Sequence, residues 1–279
     1  MKRGIILMGA AMTLMAGCPM GHNNSTPVVT RIHTVSIHVR DHVVHDAVAR
    51  FLREDLQLPL VYEPVTQGER KYVGFWAGNL VLEPCGPYSN ISYATPDFAA
   101  IFCGLTFEAY TSSEESREQL ESRSLSHKPL GAFVIINDPN LVQGNLVASI
   151  MDNPGRRQEA QKHEALSSQL KEDQGGPLGI QYVSEIQVGY TRGQDVDAWK
   201  VFLAPHRQAH RYQWPLGNGP AIHLMKGDRK EIKAVVFKVR SLAAAVRYLK
   251  ANNLLGPTSK KQVQVKAPDH WEFTLILQE

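Results

Sequence analysis

The chain has 279 residues, 43% of them hydrophobic and 20% charged. That is too apolar for a disordered chain and long enough for two domains or one large one. Lys+Arg 30 against Asp+Glu 27 gives a charge of only +3, and no basic cluster is interleaved with aromatics, so a nucleic-acid partner is excluded as an expectation. Three cysteines are too few for a disulfide scaffold or a four-thiolate zinc site.

Lys2 and Arg3 precede an uncharged, mostly apolar run, Ile5 to Ala16. It is far shorter than the roughly 20 residues of a spanning helix. It ends in Met15-Ala16-Gly17-Cys18, and small residues before a single Cys resemble a bacterial lipoprotein processing site. That resemblance implies a signal peptide over 1–17, lipidation of Cys18 and a tether over 18–30. The body would be exported, held at the cell envelope by its lipid and facing the periplasm. A plain secretory signal with an incidental Cys, or an uncleaved anchor, is the alternative. Loss of Lys2 and Arg3 leaves the mature chain near neutral.

Ile32 to Val39 alternates, with Val35, Ile37 and Val39 on one face and Thr34, Ser36 and His38 on the other. A helix follows Asp41 through Val44, Val48, Phe51 and Leu52, and Pro59 ends it. Leu60 to Val65, Tyr72 to Ala77 and Leu80 to Glu83 are short strands divided by turns at Gly68 and Gly78-Asn79. The order recurs. A strand over Ile101 to Tyr110 leads to a helix over Ser113 to Leu125, capped by Ser113, then to strands at Ala132 to Ile136 and Asn145 to Ile150. A third copy runs from Tyr182 to Tyr190 through a helix over Asp195 to Leu203 to strands at Arg211 to Trp214 and Ala221 to Met225. The fourth has Ile232 to Val239, a helix over Leu242 to Asn252 stopped by Gly256-Pro257, and strands at Val263 to Lys266 and Trp271 to Leu277. Between copies two and three, 153–179 reads as a solvated linker. A helix over Glu159 to Lys171 within it has Ala160, His163 and Leu170 along one side.

The run His33-Thr34-Val35-Ser36-Ile37-His38-Val39-Arg40-Asp41, the helix reaching Phe51, and Gly78-Asn79-Leu80-Val81-Leu82-Glu83 together resemble the first module of the vicinal oxygen chelate superfamily. That group includes glyoxalase I, extradiol dioxygenases, fosfomycin resistance proteins and bleomycin-binding proteins. The resemblance implies an α+β fold of paired βαβββ modules. Two glyoxalase-like domains, over 31–152 and a degenerate one over 180–279, would each curve a mixed sheet around a cleft.

It also implies a divalent metal (Zn, Ni, Fe or Mn) held by His and Glu on cleft-facing strands, polarising neighbouring oxygens of a small oxygen-rich ligand. Glu83 stands at the carboxylate position of the first module, as metal ligand or proton acceptor. Thr34 falls at the first-strand ligand position and His33 one residue outside it, so His33 ligates only if the strand bulges or shifts register. His33 or His38 would be a second ligand or a proton relay. Thr34 and Ser36 would orient substrate oxygens, and Trp76, with Phe75, Tyr88 and Tyr93, would supply an apolar wall. Module two offers Cys103 or Gly104 and Val147 or Ala148. Module three offers Glu185 with His223, and module four Ala234 and Thr274. The scarcity of ligands keeps a second reading open, a metal-free small-ligand binder. A scaffold with filled clefts is a third.

His38, His42 and His45 read as solvated around a strand-to-helix turn. His206 and His210 have i, i+4 spacing, but Pro205 argues against a helix there. Cys85 and Cys103 are candidates for a disulfide in an oxidising compartment, or for two free thiols.

Overall fold

The structure is a computed structural model describing residues 26–87, 98–152, 156–268 and 270–279. The leader, Cys18, Tyr88 and Tyr93 lie outside the described residues.

The first unit comprises β1 (Val29–Val39), α1 (His42–Arg50), β2 (Leu60–Gln67), β3 (Arg70–Trp76) and β4 (Val81–Gly86). The second comprises β5 (Ala100–Ala109), α2 (Ser113–Ser122), β6 (His127–Leu130), β7 (Phe133–Ile136) and β8 (Val147–Met151). Both build one sheet in the order β2-β3-β4-β1-β5-β8-β7-β6. In each unit the first strand lies parallel to the last, β1 to β4 and β5 to β8, because the helix carries the chain across the sheet. The two units join through the antiparallel β1–β5 pair.

After the connector helix α3 (Arg156–Glu172) the plan repeats with one strand fewer in the third unit. That unit is β9 (Ile180–Tyr190), α4 (Gly193–Leu203), β10 (Gln213–Trp214) and β11 (Ala221–Lys226). The fourth is β12 (Ile232–Val239), α5 (Leu242–Ala251), β13 (Leu255–Thr258), β14 (Gln262–Val265), β15 (Trp271–Glu272) and β16 (Leu275–Gln278). The second sheet is ordered β10-β11-β9-β12-β16-β14-β13. The fold is therefore two mixed sheets with helices, consistent with paired modules.

Local chemistry explains the boundaries. Asp41 caps α1, its Oδ1 accepting from the Val44 N–H at 2.9 Å. The helix then continues through Phe51–Asp55 as a wider π turn. Ser112, not Ser113, caps α2, its hydroxyl accepting from the Glu115 N–H at 3.2 Å. On β1 the alternating Val35, Ile37 and Val39 are fully buried in a core that runs without a break through both sheets, reaching Phe237 and Leu275.

Three expectations change. Strands β6 and β13 contain Pro129 and Pro257, and both lie at sheet edges, where a missing N–H breaks no ladder. The Gly256-Pro257 stop of α5 is thus also the start of an edge strand. The final run from Trp271 is two strands: β15 leaves the second sheet and pairs parallel with β5 of the first, Trp271 opposite Ala100, before β16 returns. Phe51 and Phe102 pack on this crossing through Trp271 and Phe273, with ring centroids 5.5 and 5.0 Å apart.

Polar ties fasten the sheets further. Arg123 Nη1 donates to the carbonyls of Val201 and Ala204 at the end of α4, at 2.9 and 2.8 Å. The Asn79 amide meets both peptide groups of Val183, accepting from its N–H at 3.0 Å and donating to its carbonyl at 2.9 Å. Among the described residues no helix is long and apolar enough to cross a membrane.

Candidate functional site

The face of the first sheet opposite Val35 and Ile37 bounds a hollow of about 850 Å³. Strand alternation brings Ser36 from β1, Tyr62 from β2, Glu83 and Cys85 from β4, Thr106 from β5 and Ser149 from β8 to its lining. Ser36 stands directly across the β1–β4 pair from Glu83. The Tyr62 hydroxyl donates to Glu83 Oε2. Gly74 on β3 makes this possible, since a Cβ there would overlap the Tyr62 ring. Thr106 and Ser149 share a hydroxyl hydrogen bond of 3.1 Å. Arg70 and Lys128 bring positive charge to an otherwise largely apolar lining.

Burial raises the Glu83 carboxyl above its ordinary range, opposed by the Tyr62 hydrogen bond and by His33. Burial, then the Glu83 charge and the shared hydrogen bond, push the Tyr62 phenol up, so it stays protonated. The result is a carboxyl raised by burial, held by a phenol and opening onto a cavity of ligand size.

A second constellation lies toward the N-terminal part of β1. Between Ile32↔Phe107 and Thr34↔Thr106, β1 advances two residues while β5 advances one. His33 is the extra residue of that β-bulge, the condition on which its use as a ligand depended. It is only 8% exposed. Its Nδ1 is 2.7 Å from Thr34 Oγ1, and its Nε2 faces Glu159 Oε2 at 3.4 Å.

Helix α3 brings Glu159 and His163, four residues apart, to the same place. His163 stacks on Trp76, ring centroids 4.2 Å apart and 18° from parallel, and its ring lies 5.7 Å from that of His33. The Trp76 indole N–H donates to Ser167 Oγ one helical turn on, at 3.0 Å. Burial, then the nearby His33, lower His163 to about 4, so its imidazole is neutral at pH 7. Neither His163 nitrogen, nor His33 Nε2, has a hydrogen-bond partner. One donor atom each from His33, Glu159 and His163 lies within 4.8 Å of the others. Two imidazoles and a carboxylate form a set able to coordinate a divalent metal.

Other expected residues fall elsewhere. Glu83 and Ser36 face the hollow, but the donors converging with His33 are Glu159 and His163, not Glu83. Thr34 is buried and engages His33 instead of lining the hollow, and Trp76 is covered by α3. His38 does not line the hollow. It is buried beside Phe98, ring centroids 5.5 Å apart, and burial lowers it to about 4. Of the histidines expected in solvent only His42 is exposed, bonded to the Glu69 carbonyl at 2.8 Å. His45, like His38, is buried, because its turn of α1 faces the sheet. His206 bonds the Val29 carbonyl at 2.7 Å, a structural contact.

Cys85 and Cys103 are not joined in a disulfide. Strand β1 lies between their strands. Two strand spacings come to roughly 9–10 Å, beyond the roughly 7 Å Cα limit of a disulfide. In the second sheet Glu185 and His223 do meet, at 3.1 Å, but Gln187 and Gln213 also bond the same carboxylate at 2.8 and 2.7 Å.

The strands facing the hollow offer Gly104, Thr106, Val147 and Ser149 beside Ser36 and Glu83. Among the described residues lining the hollow the metal donors are one carboxylate, Glu83, and two thiols, Cys85 and Cys103, with no imidazole, which is not the His and Glu set expected there.

The sequence does not single out Tyr62 or Glu159, and it places His163 only along one side of a helix in a solvated linker. The Glu159–His163 spacing on one predicted helix was the available signal. No periodicity places that helix against β1.

No protein-family model and no curated protein matches the chain. Solved structures do resemble it. A variant of homoprotocatechuate 2,3-dioxygenase from Brevibacterium fuscum aligns over 92% of this chain and 74% of its own, with a TM-score of 0.59 and 11% identity. The same enzyme in complex with 3,4-dihydroxyphenylacetate gives 0.55 and 12%, covering 92% and 83%. The 2,3-dioxygenase LapB from Pseudomonas sp. KL28 gives 0.57 and 11%, covering 90% of this chain and 93% of its own. At such identities the likeness is one of fold. The chain shares the fold of these 2,3-dioxygenases.

Proposed function

We propose that the hollow of the first sheet binds a small oxygen-rich molecule and that Glu83, with Tyr62, moves a proton on it. The observation that carries this reading is a carboxyl raised by burial at the wall of a cavity of about 850 Å³ whose largely apolar lining also presents the hydroxyls of Ser36, Thr106 and Ser149. A carboxylate whose affinity for protons is raised is a stronger base, which suits abstraction from a carbon next to a carbonyl. The proton leaves carbon for Glu83 and returns from it to the neighbouring carbon or oxygen, an isomerase-type transfer in which no group leaves the substrate. Charge developing on the carbonyl oxygen would be met by donors in the lining such as Ser36, Thr106 and Ser149, within the field of Arg70 and Lys128. No step is assigned to a metal in the hollow.

The competing reading is a binding module without chemistry, favoured by the lack of imidazole among the described residues that line the hollow. The N-terminal sequence supports export and lipid anchoring at Cys18 for either reading.

Thermal shift with 3,4-dihydroxyphenylacetate and a panel of hydroxy ketones, followed by NMR of deuterium wash-in beside the carbonyl, separates the two. The proposal expects stabilisation by at least one compound. It also expects exchange that falls about 100-fold or more in Glu83→Gln, the scale of general-base catalysis. Stabilisation without exchange in wild type supports the binder. Neither effect with any compound contradicts both.

A further inference from the structure

We propose that His33, Glu159 and His163 form a divalent transition-metal site, best suited to Zn²⁺, whose ion staples the connector helix α3 to the first sheet. This goes beyond the reading of the hollow and does not rest on it, since Glu83 is not among the converging donors.

The donors come from two elements far apart in sequence. His33 is turned to its position by the β1 bulge, while Glu159 and His163 lie one helical turn apart on α3. Ligands about 2.0–2.1 Å from a tetrahedral ion stand ~3.4 Å from one another. His33 Nε2 and Glu159 Oε2 already stand at 3.4 Å. The remaining donor is within 4.8 Å, so a small side-chain rotation closes the set.

Both imidazoles are more than nine-tenths buried, and His33 Nε2 and both His163 nitrogens lack hydrogen-bond partners. A buried polar atom left in that state is unfavourable, and coordination gives it a partner. Each ring is also held in place. Thr34 Oγ1 takes the Nδ1–H of His33 in the tautomer that leaves Nε2 basic, the outer contact that metal-bound histidines commonly make. Trp76 stacks on His163 and is itself tied to Ser167.

Three protein donors leave the remaining position to water. The mechanical consequence follows from where α3 lies. Leu166 packs on Val61, Trp76 and Val81, so the helix covers one end of the hollow-side face, and the ion would lock that cover down.

The test uses the mature chain stripped with EDTA and titrated with ZnCl₂, with bound zinc counted by elemental analysis and the fold followed by thermal unfolding and amide exchange. About one zinc per chain is expected, with a rise in Tm and slower exchange in α3. Glu159→Gln and His163→Gln should each weaken binding tenfold or more and abolish the Tm rise. Co²⁺ in wild type should give a visible ligand-field spectrum that Glu159→Gln, at a partly exposed position, alters without loss of the fold. Glu83→Gln should bind zinc as wild type does, which keeps this site distinct from the hollow. No stoichiometric zinc in wild type, full affinity in both α3 variants, or loss of zinc in Glu83→Gln would each overturn the proposal.

Discussion

Glu83 concentrates the chemistry of the hollow in a single ionisation. Its carboxyl is raised in the folded protein above the ordinary 4.5, so the folded state holds that proton more tightly than the unfolded chain. The stability this contributes is complete below the ordinary value and is lost as pH rises through the raised one. Urea unfolding of wild type and Glu83→Gln between pH 4 and 8 should show wild type losing ground to the variant as pH rises. A difference moving the other way means the carboxyl is depressed. Gly74 tests the support beneath it. Because an added Cβ overlaps the Tyr62 ring, Gly74→Ala should cost about 1–3 kcal/mol by overpacking, read as a lower urea midpoint, and should release Tyr62 from Glu83. An unchanged midpoint would show that the ring has room to move. At this scale the sequence was readable where alternation holds: Ser36 and Glu83 reach the hollow as period two requires. His33 was not readable, because a bulge is a break in that period and leaves no trace in the pattern itself.

Among the elements, α3 was legible as a helix but its partner was not. A polar, weakly amphipathic helix in a linker carries no sequence signal for the surface it docks on, and Trp76, which holds it, reads as one more core aromatic. Strands β6 and β13 were hidden for a different reason: their prolines look like breakers until the sheet order shows both at edges. The turn between β3 and β4 offers a clean test of how elements join. Asn79 satisfies both peptide groups of Val183 on β9. Asn79→Ala leaves them without that partner and should destabilise the protein by about 1–3 kcal/mol, measured by chemical denaturation with the slope unchanged. A loss below a few tenths would mean that water or a neighbour replaces the amide.

At the scale of the molecule, the two sheets share one core, the β15 crossing and the Arg123 clamp. Far-UV ellipticity and tryptophan fluorescence should therefore report a single coincident unfolding transition; two separated midpoints would mean that the sheets fold independently. The repeated strand–helix plan made this architecture visible in the sequence, whereas the crossing of β15 between sheets, set by packing of Phe51 and Phe102 on Trp271 and Phe273, did not show. The leader can be tested in cells: Cys18→Ser should move the protein from the membrane fraction to the soluble one, and retention in the membrane would count against a lipid anchor.

The most direct test of the hollow is a crystal structure of the chain with whichever vicinal-oxygen compound stabilises it most. The account predicts that compound against β1 and β4, its oxygens within hydrogen-bonding reach of Glu83, Tyr62 or Ser36. A compound seated on the second sheet, with the first-sheet hollow holding only solvent, would contradict it.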